Sequence, residues 1–291
     1  MKPAAVRYER PRDVGEATAL LAARGPDAKI LAGGQSLMPL MNMRLVRPAV
    51  LVDINHIRSL AYMRMENGQL AIGAVARARD VELWPAARER CPILAEALRW
   101  VGHAEIRNRG TVCGSLAHAD PAAELPVVAV ALDAELTAES VRGRRTIPAA
   151  RFFLSVLTTA LEADEVLTEV RMPALTPGAG WGFVEFARRR GDFALAAVAA
   201  LLERGSDGVC TRARVVLGGM DATPRRAERA EQSLVGERLT KERFAAAGRE
   251  AATSLEPPGD VHASAEYRRK LAAVLVERAL AAAADRLPRE G

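Results

Sequence analysis

A short apolar strand that runs into Ala32-Gly33-Gly34-Gln35-Ser36 and then into a helical pattern constrains this chain more than any other feature. Two consecutive glycines let the backbone take positive φ and bring its N–H groups against a ligand with no Cβ between them. A helix start adds unpaired N–H groups and a partial positive charge, which suits a phosphate. Ser36 can cap that helix or donate its hydroxyl to a phosphate oxygen. The same residues also fit a tight turn that binds nothing. They match neither the Gly-x-Gly-x-x-Gly dinucleotide fingerprint nor the Gly-Lys-Ser/Thr of a Walker loop.

Residues 1–55 read as an αβ unit: helical spacing over 14–23 behind Asp13 as cap, a strand at 29–31, a helix over 37–45 with Pro39 in its first turn, and a buried strand at 50–54. Within 56–174, Asn67-Gly68 predicts a hairpin between 62–65 and 69–72. Helices are expected near 79–84 and 93–101, then a polar, glycine-containing stretch at 107–115, a helix at 124–131, and strands at 134–138 and 166–172. Leu175-Thr-Pro-Gly-Ala-Gly180 is the linker candidate. Beyond it, strands at 182–187, 195–202 and 209–217 precede helices at 224–234, 241–253 and 265–284. Strands followed by helices predict an α+β domain with helices on one sheet face.

With 291 residues, 49% of them apolar, two or three domains of a soluble globular protein are expected. No apolar run reaches the roughly 20 residues of a membrane span, and the N-terminal stretch lacks the apolar core of a signal peptide, so a cytoplasmic location is expected. The net charge of +5 raises nucleic acid as a partner, but most arginines alternate with acidic residues and no aromatic platform accompanies the compact clusters at 142–145 and 188–190. Solvated surface is the reading, with partner or anion docking as the alternative. Cys91, Cys113 and Cys210 form no Cys-x-x-Cys pair, and the four histidines show no ligand spacing. Neither a disulfide framework nor a metal or iron–sulfur cluster held by this chain is expected.

A second stretch, Arg109, Gly110, Thr111, Val112, Cys113, Gly114, Ser115 and then His118-Ala-Asp120-Pro121 with Glu124, gathers hydroxyls, small residues, an imidazole and two carboxylates. Alone it also reads as an ordinary helix start at Asp120-Pro121, with His118 a surface histidine and Arg107 and Arg109 surface charge. The strings LAGGQSLMPLMNMRLVRP (31–48), followed by Val52-Asp53-Ile54, and IRNRGTVCGSLAHADPAAELP (106–126) resemble the flavoprotein, or medium, subunit of molybdenum hydroxylases. That family includes the carbon monoxide dehydrogenase medium subunits and the FAD domain of xanthine dehydrogenase, and the resemblance extends through nearly the whole chain.

The resemblance implies an α+β architecture: a vanillyl-alcohol-oxidase-type (PCMH-type) FAD-binding fold of two α+β subdomains, 1–55 and 56–174. A C-terminal domain, 175–291, would carry a three-stranded antiparallel sheet and helices. It implies one non-covalent FAD, since no histidine falls at the loop positions. Ala32, Gly33, Gly34, Gln35, Ser36 and Leu37 would wrap the pyrophosphate with Lys29 and Leu31 nearby, and Thr111, Val112, Gly114 and Ser115 would close from the other side. His118 and Asp120 would lie by the ribityl–isoalloxazine end, Glu124 by the adenosine end, Leu167 by the adenine, and Val101 in the pocket lining. Molybdopterin and [2Fe-2S] clusters would belong to a large and a small partner subunit, in a dimer of heterotrimers, and no catalytic acid or base is required here.

Two departures stand out. Thr111-Val-Cys113-Gly114 has cysteine where the family usually has glycine, and its side chain is expected to turn away from the cofactor. Phe193 stands where several relatives have tyrosine, and reads either as a cover for a flavin face or as core. Two other functions share the loops: a self-contained flavin oxidoreductase with its own small substrate, and a scaffold that has lost FAD.

Overall fold

Asp13 leaves an extended backbone and accepts the Glu16 N–H at 2.8 Å. This cap starts α1 (Val14–Arg24), after the short strand β1 (Arg7–Glu9). The structure, a computed structural model, describes residues 2–288. Next come β2 (Ala28–Leu31), α2 (Leu37–Asn42) and β3 (Val50–Asp53), and the three strands form a parallel sheet in the order β1-β3-β2. Helix α2 is shorter than the expected 37–45. Arg44 takes the left-handed region, with φ of 60°, and the Leu45 N–H returns to the Leu40 carbonyl at 2.9 Å, a Schellman-type ending.

Strands β4 (Met63–Glu66) and β5 (Gln69–Gly73) meet at Asn67 and Gly68, both at positive φ as the tight hairpin requires. Then follow α3 (Ala78–Leu83), α4 (Pro85–Arg90), α5 (Pro92–Leu98), α6 (Ala104–Arg109), α7 (Val112–His118) and α8 (Glu124–Ala131). After them come β6 (Glu135–Ser140), β7 (Gly143–Pro148), α9 (Ala149–Phe152), the small hairpin β8 (Phe153–Ser155) and β9 (Thr158–Thr159), and β10 (Val166–Pro173). The second sheet is antiparallel in the order β4-β5-β10-β6-β7, so the last strand fills its centre. All residues of α8 are buried, and it touches α5 and α7 on one side and the third sheet on the other. A helix apolar all round has no water face to keep.

The third sheet is antiparallel, in the order β11 (Gly180–Phe186), β12 (Ala196–Arg204), β13 (Cys210–Gly218) and β14 (Arg225–Arg226). Helices α10 (Glu228–Leu234), α11 (Lys241–Thr253) and α12 (Ala265–Ala284) follow. The fourth strand is an addition to the expected three. Arg225 and Arg226 pair with Leu217 and Val216, which delays the helix expected at 224 until Glu228. Alternation along β12 feeds two cores. Ala197 and Ala199 join the cluster shared with the first two sheets, while Ala196, Val198 and Ala200 pack beneath α12 in a second cluster that α11 completes. Among the described residues no helix is long and apolar enough to cross a membrane.

Candidate functional site

Strand β2 delivers Ala32 to a turn in which Gly34 takes φ of 72°, in the left-handed region. A Cβ on Gly33 would stand 2.6 Å from both the Arg109 carbonyl oxygen and the Gly110 Cα. The two glycine-bearing stretches therefore meet backbone to backbone. Gln35 donates from Nε2 to the Gly33 carbonyl at 3.1 Å and closes the turn locally. Ser36 makes no side-chain cap bond to α2, which leaves its hydroxyl for a ligand rather than for the helix. The N–H groups of Gly34, Gln35 and Ser36 meet no partner among the described residues.

The second stretch is a helix start and not an open loop. Thr111 is extended, and its Oγ1 accepts the Gly114 N–H at 3.0 Å, which caps α7. Cys113 is buried, with its thiol 3.6 Å from the Ile72 carbonyl, and the residue also borders the cleft. Burial pushes that thiol well above its usual range, with the Glu169 charge adding to the effect. Arg107, open to a surface reading from sequence, is buried. It donates to Glu82 at 2.8 Å and to the Val101 and Gly102 carbonyls at 3.0 Å. Burial alone would raise the Glu82 carboxyl, but hydrogen bonds from Arg79 and Arg107 outweigh it and hold the group below the ordinary range.

Between the two stretches lies a cavity of ≈ 570 Å³, within the size range of cofactor sites. Lys29, Ala32, Gly33, Gly34, Gln35, Ser36 and Leu37 form one side of it. Val101, Thr111, Gly114, Ser115 and His118 form another, and Leu167 closes the far end. Five expected residues are not on this wall. Leu31 packs its side chain beneath Gly34, and Val112 is wholly buried. Asp120 accepts the Ala122 N–H at 2.9 Å and so serves its own turn. Glu124 is buried at the start of α8, and Phe193 is 74% exposed. The core reading of Phe193 is thereby corrected: its turn stands outside β11 and β12, where the neighbouring Arg190 guanidinium lies 5.9 Å from the Trp100 ring centre.

Sequence reasoning missed most of the far wall, where Leu157, Thr158 and Thr159 come from the β8–β9 hairpin and Leu161 follows it. The run Phe-Phe-Leu-Ser-Val-Leu-Thr-Thr at 152–159 was its available signal.

Glu124 lies near Glu185 of β11, and neither Glu185 oxygen has a hydrogen-bond partner among the described residues. Burial, reinforced by the Glu124 charge, pushes Glu185 up to about 9. Burial and the Asp120 charge raise Glu124 to about 7. The His118 Nε2 stands 4.0 Å from Asp120, too long for a hydrogen-bonded catalytic pair. Orphan N–H donors, a free serine hydroxyl and a cradle closed to any Cβ fit a diphosphate, and the apolar residues beyond fit the rest of an extended dinucleotide.

Residues 4–175 match the family described as the FAD binding domain in molybdopterin dehydrogenase, and 181–283 the CO dehydrogenase flavoprotein C-terminal domain. The chain is 44% identical to the 6-hydroxypseudooxynicotine dehydrogenase complex subunit alpha of Paenarthrobacter nicotinovorans, over 98% of this chain and 97% of that one. It is 41% identical to the caffeine dehydrogenase subunit beta of a Pseudomonas strain, over 99% and 97%. Among solved structures it resembles a chain of carbon monoxide dehydrogenase from Hydrogenophaga pseudoflava, with a TM-score of 0.96 and 41% identity, covering 99% of this chain and 100% of that one.

Proposed function

This chain belongs to the FAD-binding flavoprotein family of the molybdenum hydroxylases, and from that premise we propose that the cleft between its two glycine-bearing stretches holds FAD as the outlet of an electron relay. It is the FAD-dependent oxidoreductase subunit of such a complex. Electrons reach it from [2Fe-2S] clusters of a small partner subunit, after a large molybdopterin subunit has oxidised the substrate, and leave to an external acceptor. The flavin, when bound, supplies the chemistry of taking up single electrons and releasing two together.

The observation that carries this reading is the contact of Gly33 with the Arg109–Gly110 backbone beside a cavity of ≈ 570 Å³. The N–H groups of Gly34, Gln35 and Ser36 and the Ser36 hydroxyl would bind the diphosphate, with Ser115 facing it across the cleft. Leu167 and the β8–β9 hairpin would exclude water from the adenine end, and Val101 and His118 would border the ribityl–ring end. No proton transfer is asked of these residues. In this reading 1–55 and 56–174 are the two FAD-binding subdomains and 175–291 the C-terminal domain. The assembly is a dimer of heterotrimers in the cytoplasm, a reducing compartment that suits three buried free cysteines.

The test is acid precipitation of the chain purified with its partner subunits. FAD equimolar with the chain should appear in the supernatant. A colourless complex that takes up no added FAD would sink the reading, and a yellow pellet would overturn non-covalent attachment.

A further inference from the structure

Neither Asn55 nor Arg77 lines the cleft, yet the two side chains join its halves. Asn55 donates from Nδ2 to the Ala32 carbonyl at 2.8 Å, at the root of the first glycine turn. Its Oδ1 accepts from Arg77 at 2.7 Å. Through its other terminal nitrogen, Arg77 donates to the Arg109 carbonyl at 2.7 Å, at the root of the second stretch. Three hydrogen bonds thus connect the Ala32 carbonyl to the Arg109 carbonyl, the same oxygen that Gly33 approaches.

Both ends of this chain of contacts are anchored. Asp53 Oδ1 accepts the Asn55 N–H at 2.9 Å and Nδ2 at 2.6 Å, while Asp53 Oδ2 accepts the Tyr8 hydroxyl at 2.5 Å. The carboxylate and the Ala32 carbonyl can only accept, and the guanidinium can only donate, so the Asn55 amide has one satisfying orientation. Burial would raise Asp53, but the bonds from Tyr8 and Asn55 outweigh it and keep the group below its ordinary range, hence charged. On the other side, the Ala78 N–H donates to the Gly110 carbonyl at 2.8 Å, and Arg77 pairs with Thr111 as an isolated β-bridge. The start of α3 is thereby fixed to the second stretch independently of the Arg77 side chain.

We propose that Asn55 and Arg77 form a clasp that sets the separation of the two diphosphate-facing stretches, and are positioning residues for FAD although they do not touch it. This rests on the FAD reading above. The planar fork of arginine is what the geometry needs, since one side chain must reach two oxygens on different segments at once. A lysine keeps the charge but has no fixed fork.

The test uses the complex purified with its partner subunits, stripped of FAD and titrated with FAD by flavin fluorescence. The variants are Arg77→Met, Asn55→Ala and both together, and the melting temperature of each stripped complex is measured alongside. Each single change is expected to weaken FAD binding about tenfold or more. The double variant should bind no more weakly than the poorer single, because opening either link releases the same clasp. Stripped complexes should melt within about 4 °C of the unaltered one. Arg77→Lys should fall between Arg77→Met and the unaltered chain, and supplies the measurement if Arg77→Met does not fold.

Single variants that bind FAD within about twofold of the unaltered complex would overturn the clasp, as would losses that simply multiply in the double variant. An unaltered complex that binds no FAD would overturn the FAD reading itself, and the clasp with it.

Discussion

Gly33 has no room for a methyl group. A Cβ there would meet the Arg109 carbonyl and the Gly110 Cα at 2.6 Å, and both are backbone atoms of the opposite stretch. Gly33→Ala should therefore force the two stretches apart, lower stability by about 1–3 kcal/mol, and leave the purified complex depleted of flavin. Flavin content and a melting curve check it, and full occupancy would contradict it. Cys113 is the opposite case. It borders the cleft, but its thiol is engaged by the Ile72 carbonyl, so Cys113→Gly should leave FAD affinity unchanged. It should nevertheless lower stability by about 1–3 kcal/mol through lost packing and added backbone freedom. A large gain in affinity would mean that cysteine strains the site. The glycine pair was visible in sequence. The direction of the Cys113 side chain was expected from its neighbours' family pattern, but the oxygen that receives it lies 41 residues away in the chain.

Elements with a strong local signal were legible, and those defined by pairing were not. Helix α1 behind its Asp13 cap, the Asn67-Gly68 hairpin and helices α11 and α12 behind Thr240 and Ser264 follow from spacing and capping, while α8 was legible only as an uninterrupted apolar run. Strand β7, Gly143–Pro148, escaped because it is an exposed edge carrying two arginines, a composition that protects an edge but hides the strand. The second glycine-bearing stretch looked like a loop because α6 and α7 are each under eight residues and hinge at Gly110-Thr111. The buried Arg107–Glu82 pair ties α6 to α3 beside that hinge. Arg107→Met leaves Glu82 with Arg79 as its remaining partner and takes the donor from the Val101 and Gly102 carbonyls, and should lower stability by about 1–3 kcal/mol at neutral pH. The sign with pH follows from the depressed Glu82 carboxyl. Its contribution is present above the unfolded carboxylate range and is lost as pH falls through the folded value. Melting curves of the two proteins should converge toward acid, and a constant gap across pH would refute this account.

At the scale of the whole molecule, the third sheet lies on α8 and carries the unpartnered Glu185 carboxyl into the junction, close to Glu124. A carboxyl raised to about 9 favours the folded state only when protonated. Its share of stability is complete below the unfolded carboxylate range and disappears as pH rises through about 9. Glu185→Gln, which keeps the shape without the charge, should raise the melting temperature at pH 8 by at least about 2–4 °C. The gain should shrink toward pH 5, and an equal gain at both values would show that the charge is not responsible. By itself the sequence determined the glycine turns, the larger helices, the order of strands before helices after residue 180, and the family through the strings at 31–48 and 106–126. Those properties are local, fixed by dihedral preference, capping and side-chain period. Only the tertiary structure decided that Gly33 meets Arg109, that Asn55 and Arg77 bridge the two stretches, that the β8–β9 hairpin forms the far wall, and that Glu185 is buried beside another carboxyl. Each of these depends on atoms brought together from distant segments, where hydrogen-bond partners and exclusion of water are set by packing and leave no periodic trace in the chain.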